Sequence, residues 1–385
     1  MTRSPSADVP HAIVDLGALV ANVAALRSRL APGTRLMAAV KADAYGHGVA
    51  RVAPALAEAV DAFGVATADE ALELRALGLT QDVLVFGPIR ARIAELVDAD
   101  VALTVAGPDD LEAIARAATP GRARVHLKVD TGMGRLGIPV GARSDPSGSG
   151  LRTIVELAAA VDRGRASRLE GVWSHLATAD DPDAAAAGSS TDAQIAAFRA
   201  VLQALDASSL RPPVAHLANS AGLVARPDAH FDLVRPGIAV YGQPPSPHVA
   251  GLVPELRPAL TLDAPVTFVK QLPAGAPIGY GGTWTAERAT TVATVRLGYA
   301  DGYPRSLSSK GLAVLGGRAA RVAGRVSMDQ VMLDVGPDAD VAPGDRAVFI
   351  GGAGPSAVAV AATVGGFVYE LLTGLGARVA RRYVG

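Results

Sequence analysis

Between Met37 and about Gly242 the chain alternates short apolar runs with longer stretches rich in alanine and leucine. Short apolar runs bounded by turn residues read as buried strands, and the longer periodic stretches between them as helices. Eight strands are predicted, at Met37–Ala42, Phe63–Thr67, Val83–Gly87, Val101–Val105, Val125–Asp130, Gly171–Leu176, Val214–Ala218 and Leu233–Tyr241. Helices are predicted at Asp69–Leu77, where Asp69 and Glu70 suit a helix N-terminus, and at Leu111–Ala118, which Asp109 or Asp110 can cap. Eight β-then-α units in sequence, over about 200 residues, match an α/β fold of the parallel (β/α)8 TIM-barrel type better than a doubly wound open sheet.

After Gly242 the pattern changes. Gln243–Pro258 holds five prolines and reads as a linker, and beyond it strand-like alternation takes over at Thr261–Leu272, Thr290–Leu297, Ala319–Val326 and Val331–Val335. Turn signals at Ala274-Gly275, Asp301-Gly302, Gly316-Gly317 and Pro343-Gly344-Asp345 punctuate these runs. The expected organisation is a barrel over residues 1–242, a Pro-rich linker over 243–258 and a mostly β C-terminal domain over 259–385.

Composition narrows the function classes. Thirty-six basic against thirty-seven acidic residues leave a net charge of −1, which removes the usual electrostatic reason to expect nucleic acid or an anionic membrane as partner. The absence of cysteine excludes disulfides, Cys-based metal centres and thiol nucleophiles. The start, MTRSPSADVP, lacks an apolar signal region, and no stretch approaches the ~20 apolar residues of a membrane span, so a soluble, cytoplasmic protein is expected. Only four lysines occur, Lys41, Lys128, Lys270 and Lys310, against thirty-two arginines.

Lys41 lies at the end of the first predicted strand, on the side of the barrel where such folds build their sites. A lysine half-buried there loses its proton readily and can attack an aldehyde or accept a proton from carbon; the alternative is a lysine whose stem reaches out to solvent. After the seventh and eighth strands, Ser220, Gly237 and Ile238 are placed to bind phosphate, or form an ordinary helix cap and glycine turn. A lysine combined with a phosphate cradle suggests a phosphorylated aldehyde cofactor, pyridoxal phosphate. His126, Lys128 and Asp130 share one face of the fifth strand, and Arg135 ends the loop that follows. His126, His175 and His216 are too sparsely supported by carboxylates for a metal cluster, and no metal is expected.

Nine separated segments together resemble the alanine racemase family: AVKADAYGHG, VHLKVDTGMGRLG, SHLATAD, HLANSAG, VRPGIAVYG, IGYGGTW, LGYADGYPR, GRVSMDQ and VYE near the C-terminus. The resemblance implies pyridoxal 5'-phosphate as cofactor, L- and D-alanine as substrates, and a homodimer with shared sites. It implies that Lys41 holds the cofactor and acts as base on one face of the substrate, while Tyr299, supplied by the partner subunit, acts on the other. Tyr45, Ser220, Gly237, Ile238 and Tyr369 match phosphate contacts, and Arg135 matches the arginine near the cofactor phenolate and the substrate. Arg235 matches an arginine facing the pyridine nitrogen, with His216 behind it. Met328 and Asp329 match the segment lining the substrate pocket, and Lys128 a position that relatives carbamylate.

Two groups across a planar carbon invert it without moving the substrate, so the stereochemistry itself asks for two bases. Tyrosine, with an ordinary pKa of about 10, needs help as a base, and His175, counted with the cofactor site, or His216 is expected to supply it. Two departures from relatives are Ser327 in place of cysteine and Asp43 in place of asparagine beside Lys41. The alternatives are a broader amino-acid racemase of the same fold and a non-enzymatic pyridoxal phosphate-binding protein, which would not need a domain of about 130 residues beyond the barrel.

Overall fold

The computed structural model describes residues 8–119, 121–141, 145–164 and 167–385. The chain divides into two compact units: Val20–Ala44 with Val49–Leu256, and the described residues up to Leu19 with Tyr45–Gly48 and Arg257–Gly385.

In the first unit eight parallel strands close on themselves: Arg35–Ala39 (β1), Ala62–Val65 (β2), Asp82–Val85 (β3), Val101–Val105 (β4), Ala123–Asp130 (β5), Ser167–Trp173 (β6), Val214–His216 (β7) and Leu233–Val234 (β8). The ring shuts where Leu233 pairs with Arg35 and Val234 with Leu36. All eight residues of β5 are buried, as a strand covered on both faces requires. Met37, Ala62, Leu84, Ala102 and Leu233 form one apolar layer of the interior.

The eighth strand is far shorter than the expected Leu233–Tyr241. Pro236 has no N–H to donate, and after Gly237 the chain coils into a 3-10 turn at Ile238–Tyr241. The carbonyl of Pro236 instead accepts the Ala39 N–H at 2.9 Å, so the segment stays stitched to β1 without being a strand. The helix Ala68–Ala76 begins on a reciprocal capping box between Thr67 and Glu70. Pro108–Ala117 starts before the expected Leu111; neither Asp109 nor Asp110 is its cap residue, which is Gly107, and Asp110 accepts the Ala106 N–H at 2.8 Å. Within the Pro-rich stretch expected as a linker, Pro247–Leu252 is a helix capped by Ser246.

In the second unit six antiparallel strands, Thr290–Val295, Val331–Gly336, Arg318–Val322, Leu312–Leu315, Arg346–Ile350 and Leu260–Leu272, also close into a ring. His11–Asp15 extends this sheet, antiparallel to Leu260–Leu272 and parallel to Ala380–Val384. Among the described residues, no helix is long and apolar enough to cross a membrane.

After β1 the chain enters a left-handed turn. Ala42, Asp43, Ala44 and Tyr45 all sit at φ 52–53°, a conformation that costs roughly 1–2 kcal/mol per L-residue. Hydrogen bonds hold it: Glu70 Oε1 accepts the Ala42 N–H at 2.7 Å and Asp43 Oδ1 accepts the Val49 N–H at 2.7 Å. Gly46 ends the turn at φ +79°, and a Cβ there would lie 2.2 Å from the Leu372 carbonyl oxygen. Only glycine fits.

Candidate active site

Lys41 stands immediately before this left-handed turn. Burial, then the Arg135 guanidinium, lowers the Lys41 pKa, and the Glu70 carboxylate opposes them only in part. Asp43, which stands beside Lys41 where relatives have asparagine, accepts the Val49 N–H through its Oδ1 at 2.7 Å. Arg135 lies at the end of a loop that Asp130 builds, its Oδ1 accepting from Gly132, Met133 and Gly134 at 2.9, 2.8 and 3.1 Å. Arg135 itself is exposed.

Deeper in the barrel, Arg235 is buried, with no carboxylate partner among the described residues. Its Nη1 lies 2.9 Å from His216 Nδ1, and its Nη2 donates to the carbonyls of Ser174 at 2.6 Å and Leu217 at 3.1 Å. An arginine can only donate, so His216 Nδ1 must be bare and the proton must sit on its Nε2. That Nε2 lies 2.8 Å from His126 Nδ1, which makes His126 the next acceptor. The two imidazoles are thus spent on each other and on Arg235. Burial, then Arg124, holds His126 down to about 3, and burial, then Arg235, holds His216 well below its usual range, so both stay neutral. His175 is neutral for the same reasons, burial first and Arg235 second, with its Nε2 3.4 Å from Asn219 Nδ2. Burial, then Arg135, pushes Arg235 down to about 9, which leaves it charged at neutral pH.

Lys128 is buried on β5, its Nζ donating to the Val129 carbonyl at 2.5 Å and standing 4.8 Å from the Trp173 ring centre. Burial, then Arg235, lowers its pKa to about 7, so much of it is the neutral amine that carbamylation requires. Between about 7 and the ordinary 10.5 the unfolded chain binds more protons at this position, so stability rises with pH across that window. The burial penalty is present in full below about 7. Lys128→Met should therefore raise Tm most at and below pH 7, by an effect on the order of a few kcal/mol, with the gap closing toward pH 10.5. Thermal melts across pH in bicarbonate-free buffer measure this, and a pH-independent gap would contradict it.

Asn219 caps the short helix Ser220–Ala225, its side chain accepting the Gly222 N–H at 2.9 Å. The Ser220 hydroxyl accepts the Gly237 N–H at 2.9 Å and the Ala239 N–H at 3.4 Å, which sets Ser220 against the Gly237–Ile238 turn. The group implied by the sequence resemblance needs an amine that gives up its proton, polar groups for a phosphate and a donor for a ring nitrogen. Lys41, with its lowered pKa, the Ser220 hydroxyl beside the Gly237–Ile238 turn, and the Arg235 guanidinium fit those needs in turn.

The remaining predicted residues belong to the β unit. The rings of Tyr45 and Tyr369 have centroids 6.0 Å apart, and Phe367 stacks on Tyr369 at 4.4 Å. Tyr299 opens a 3-10 turn over Tyr299–Asp301. Its N–H donates to the Ser327 carbonyl and that of Ala300 to the Met328 carbonyl, both at 3.0 Å, so the Tyr299 and Met328–Asp329 segments lie side by side. Three residues hold these loops in roles the sequence did not show: Glu70, expected only at a helix N-terminus, lies under the left-handed turn; Asp130, expected only as a polar residue of the fifth strand, builds the Arg135 loop; and Arg378, not singled out, holds Asp301 and Asp329. The signal available was the Thr67-x-x-Glu70 capping spacing for the first and none for the other two.

Sequence models of the alanine racemase N-terminal and C-terminal domains match residues 14–245 and 259–383. The chain is 45% identical over 383 residues to the alanine racemase of Salinispora arenicola, covering 97% of each protein. It is 43% identical over 380 residues to that of Desulfosudis oleivorans, covering 96% of this chain and 95% of that one. Among solved structures, the alanine racemase of D-cycloserine-producing Streptomyces lavendulae aligns with a TM-score of 0.89 at 40% identity, over 100% of this chain and 98% of that one. The biosynthetic alanine racemase of Pseudomonas aeruginosa aligns at 0.85 and 34% identity, over 98% and 100%.

Proposed function

The chain belongs to the alanine racemase family of pyridoxal phosphate-dependent isomerases, and from that premise we propose that it interconverts L- and D-alanine with Lys41 and Tyr299 as bases on opposite faces. The observation that carries this reading is the lowered pKa of Lys41 at the mouth of the barrel, where burial and Arg135 favour an amine free to take a proton.

Pyridoxal phosphate, when bound, supplies an electron sink that acidifies the α-hydrogen of an amino acid. Lys41 holds the cofactor and removes or returns the proton on one face. Tyr299 does so on the other. Ser220, the N–H groups of Gly237 and Ile238, Tyr45 and Tyr369 hold the phosphate, and Arg235 donates to the ring nitrogen. Because Arg235 keeps its proton, it would donate to the ring nitrogen without protonating it and so would leave the bound group a weaker electron sink, which would favour racemisation over side reactions. Arg135 faces the phenolate and substrate carboxylate, Met328 and Asp329 line the pocket, and neutral His175 belongs to the cofactor site as an acceptor available to assist Tyr299.

A homodimer that shares its sites follows from the same reading. Tyr299, Met328 and Phe367 are 41%, 53% and 55% exposed, large apolar side chains that a second subunit would cover in such a dimer. The test is incubation of the purified protein with pyridoxal phosphate and L-alanine in deuterium oxide, following optical rotation and α-deuterium together. Loss of rotation with deuterium uptake is the expected result; cofactor binding with neither change would overturn the reading.

A further inference from the structure

Arg378 stands outside every motif that pointed to the active site, yet it joins two of them. Its Nε donates to Asp301 Oδ1 at 2.9 Å and its Nη1 to Asp329 Oδ1 at 2.7 Å. Asp301 is buried, two residues after Tyr299, and its other oxygen, Oδ2, accepts the Gly298 N–H at 2.8 Å. One carboxylate therefore links the residue before Tyr299 to Arg378. The contact has no slack: a Cβ on Gly298 would lie 2.1 Å from the Met328 carbonyl oxygen. Behind it, the Gly376 N–H donates to the Asp301 carbonyl at 3.0 Å, and Arg381 Nη1 holds the Gly376 carbonyl at 2.7 Å.

We propose that Arg378 is a positioning residue for Tyr299, a fork whose two arms fix the Tyr299 turn against the Met328–Asp329 segment. The proposal rests on the reading of Tyr299 as the base of one face. The physical case is one of geometry. A guanidinium is planar and presents several donors in a fixed fork, so it sets the separation of two carboxylates, whereas a lysine ammonium meets one of them at a time. The Tyr299 side chain is itself exposed within one subunit, so its aim is set by the turn that carries it. Misplacing a proton-transfer group by about 1 Å can cost on the order of a hundredfold.

Arg378→Ala, Arg378→Lys and Asp301→Asn are compared with Tyr299→Phe by α-proton exchange from L- and from D-alanine in deuterium oxide. For Arg378→Ala, exchange from L-alanine should fall roughly ten- to a hundredfold, with exchange from D-alanine and the visible absorbance of bound cofactor unchanged. Arg378→Lys and Asp301→Asn should show the same asymmetry to a smaller degree. In the cofactor-free protein, amide hydrogen exchange over residues 298–303 should quicken in Arg378→Ala. Equal slowing of both enantiomers, or no slowing, while Tyr299→Phe is asymmetric, overturns the role of Arg378. Symmetry in Tyr299→Phe itself instead overturns the reading beneath it. If Arg378→Ala does not fold, the Arg378→Lys and Asp301→Asn results decide on the same terms.

Discussion

Lys41→Ala should abolish racemisation and the absorbance band specific to the lysine-linked cofactor together, a loss of at least about 10⁴-fold in kcat/KM. The size follows from the two tasks joined in one amine. Removal of a positioned base alone costs about 10²–10⁴-fold, and here the covalent anchor goes with it. Lys41 is also the lysine whose surroundings suit the work. Lys128 has a lowered pKa too, but it is buried within β5 with its Nζ on the Val129 carbonyl and the Trp173 ring, spent on the barrel wall. Small primary amines added to Lys41→Ala should restore a fraction of the turnover, because a free amine can stand in for a missing base. Spectra and rotation assays on the variant test this directly. Retained absorbance with retained turnover would move the assignment away from Lys41.

The barrel was legible because its strands are short apolar runs, and burial on both faces leaves a run rather than an alternation. Leu233–Tyr241 was misread for the same reason: apolar residues on both sides of Pro236-Gly237 look like one run, and what ends the strand is a missing N–H, not a change in polarity. His11–Asp15 was invisible to local pattern because the strands that pair with it start near Leu260 and Ala380. The left-handed turn at Ala42–Tyr45 runs against the usual preference of L-residues, least so at Asp43, and hydrogen bonds from Ala42 to Glu70 and from Val49 to Asp43 hold it. Site residues carried by the long motifs could be named from sequence. Arg378 could not, since its meaning lies in Asp301 and Asp329, which arrive from loops 77 and 49 positions away.

Tyr299→Phe should slow α-proton exchange from L-alanine by about 10²–10⁴-fold while sparing exchange from D-alanine. Racemisation rates alone cannot reveal this. Mirror-image substrates have equal free energies, so kcat/KM must fall equally in both directions whichever base is lost. Exchange is different: the base that remains can take a proton, trade it with solvent and return deuterium to the same face. With phenylalanine at 299 that path stays open only on the Lys41 face. D-alanine should then gain deuterium with its configuration retained, whereas L-alanine, whose proton faces the missing hydroxyl, gains little. Nuclear magnetic resonance of the α-position, read beside optical rotation, separates the two. Deuterium uptake slowed equally for both enantiomers would contradict the assigned faces, and uptake lost from D-alanine alone would reverse them.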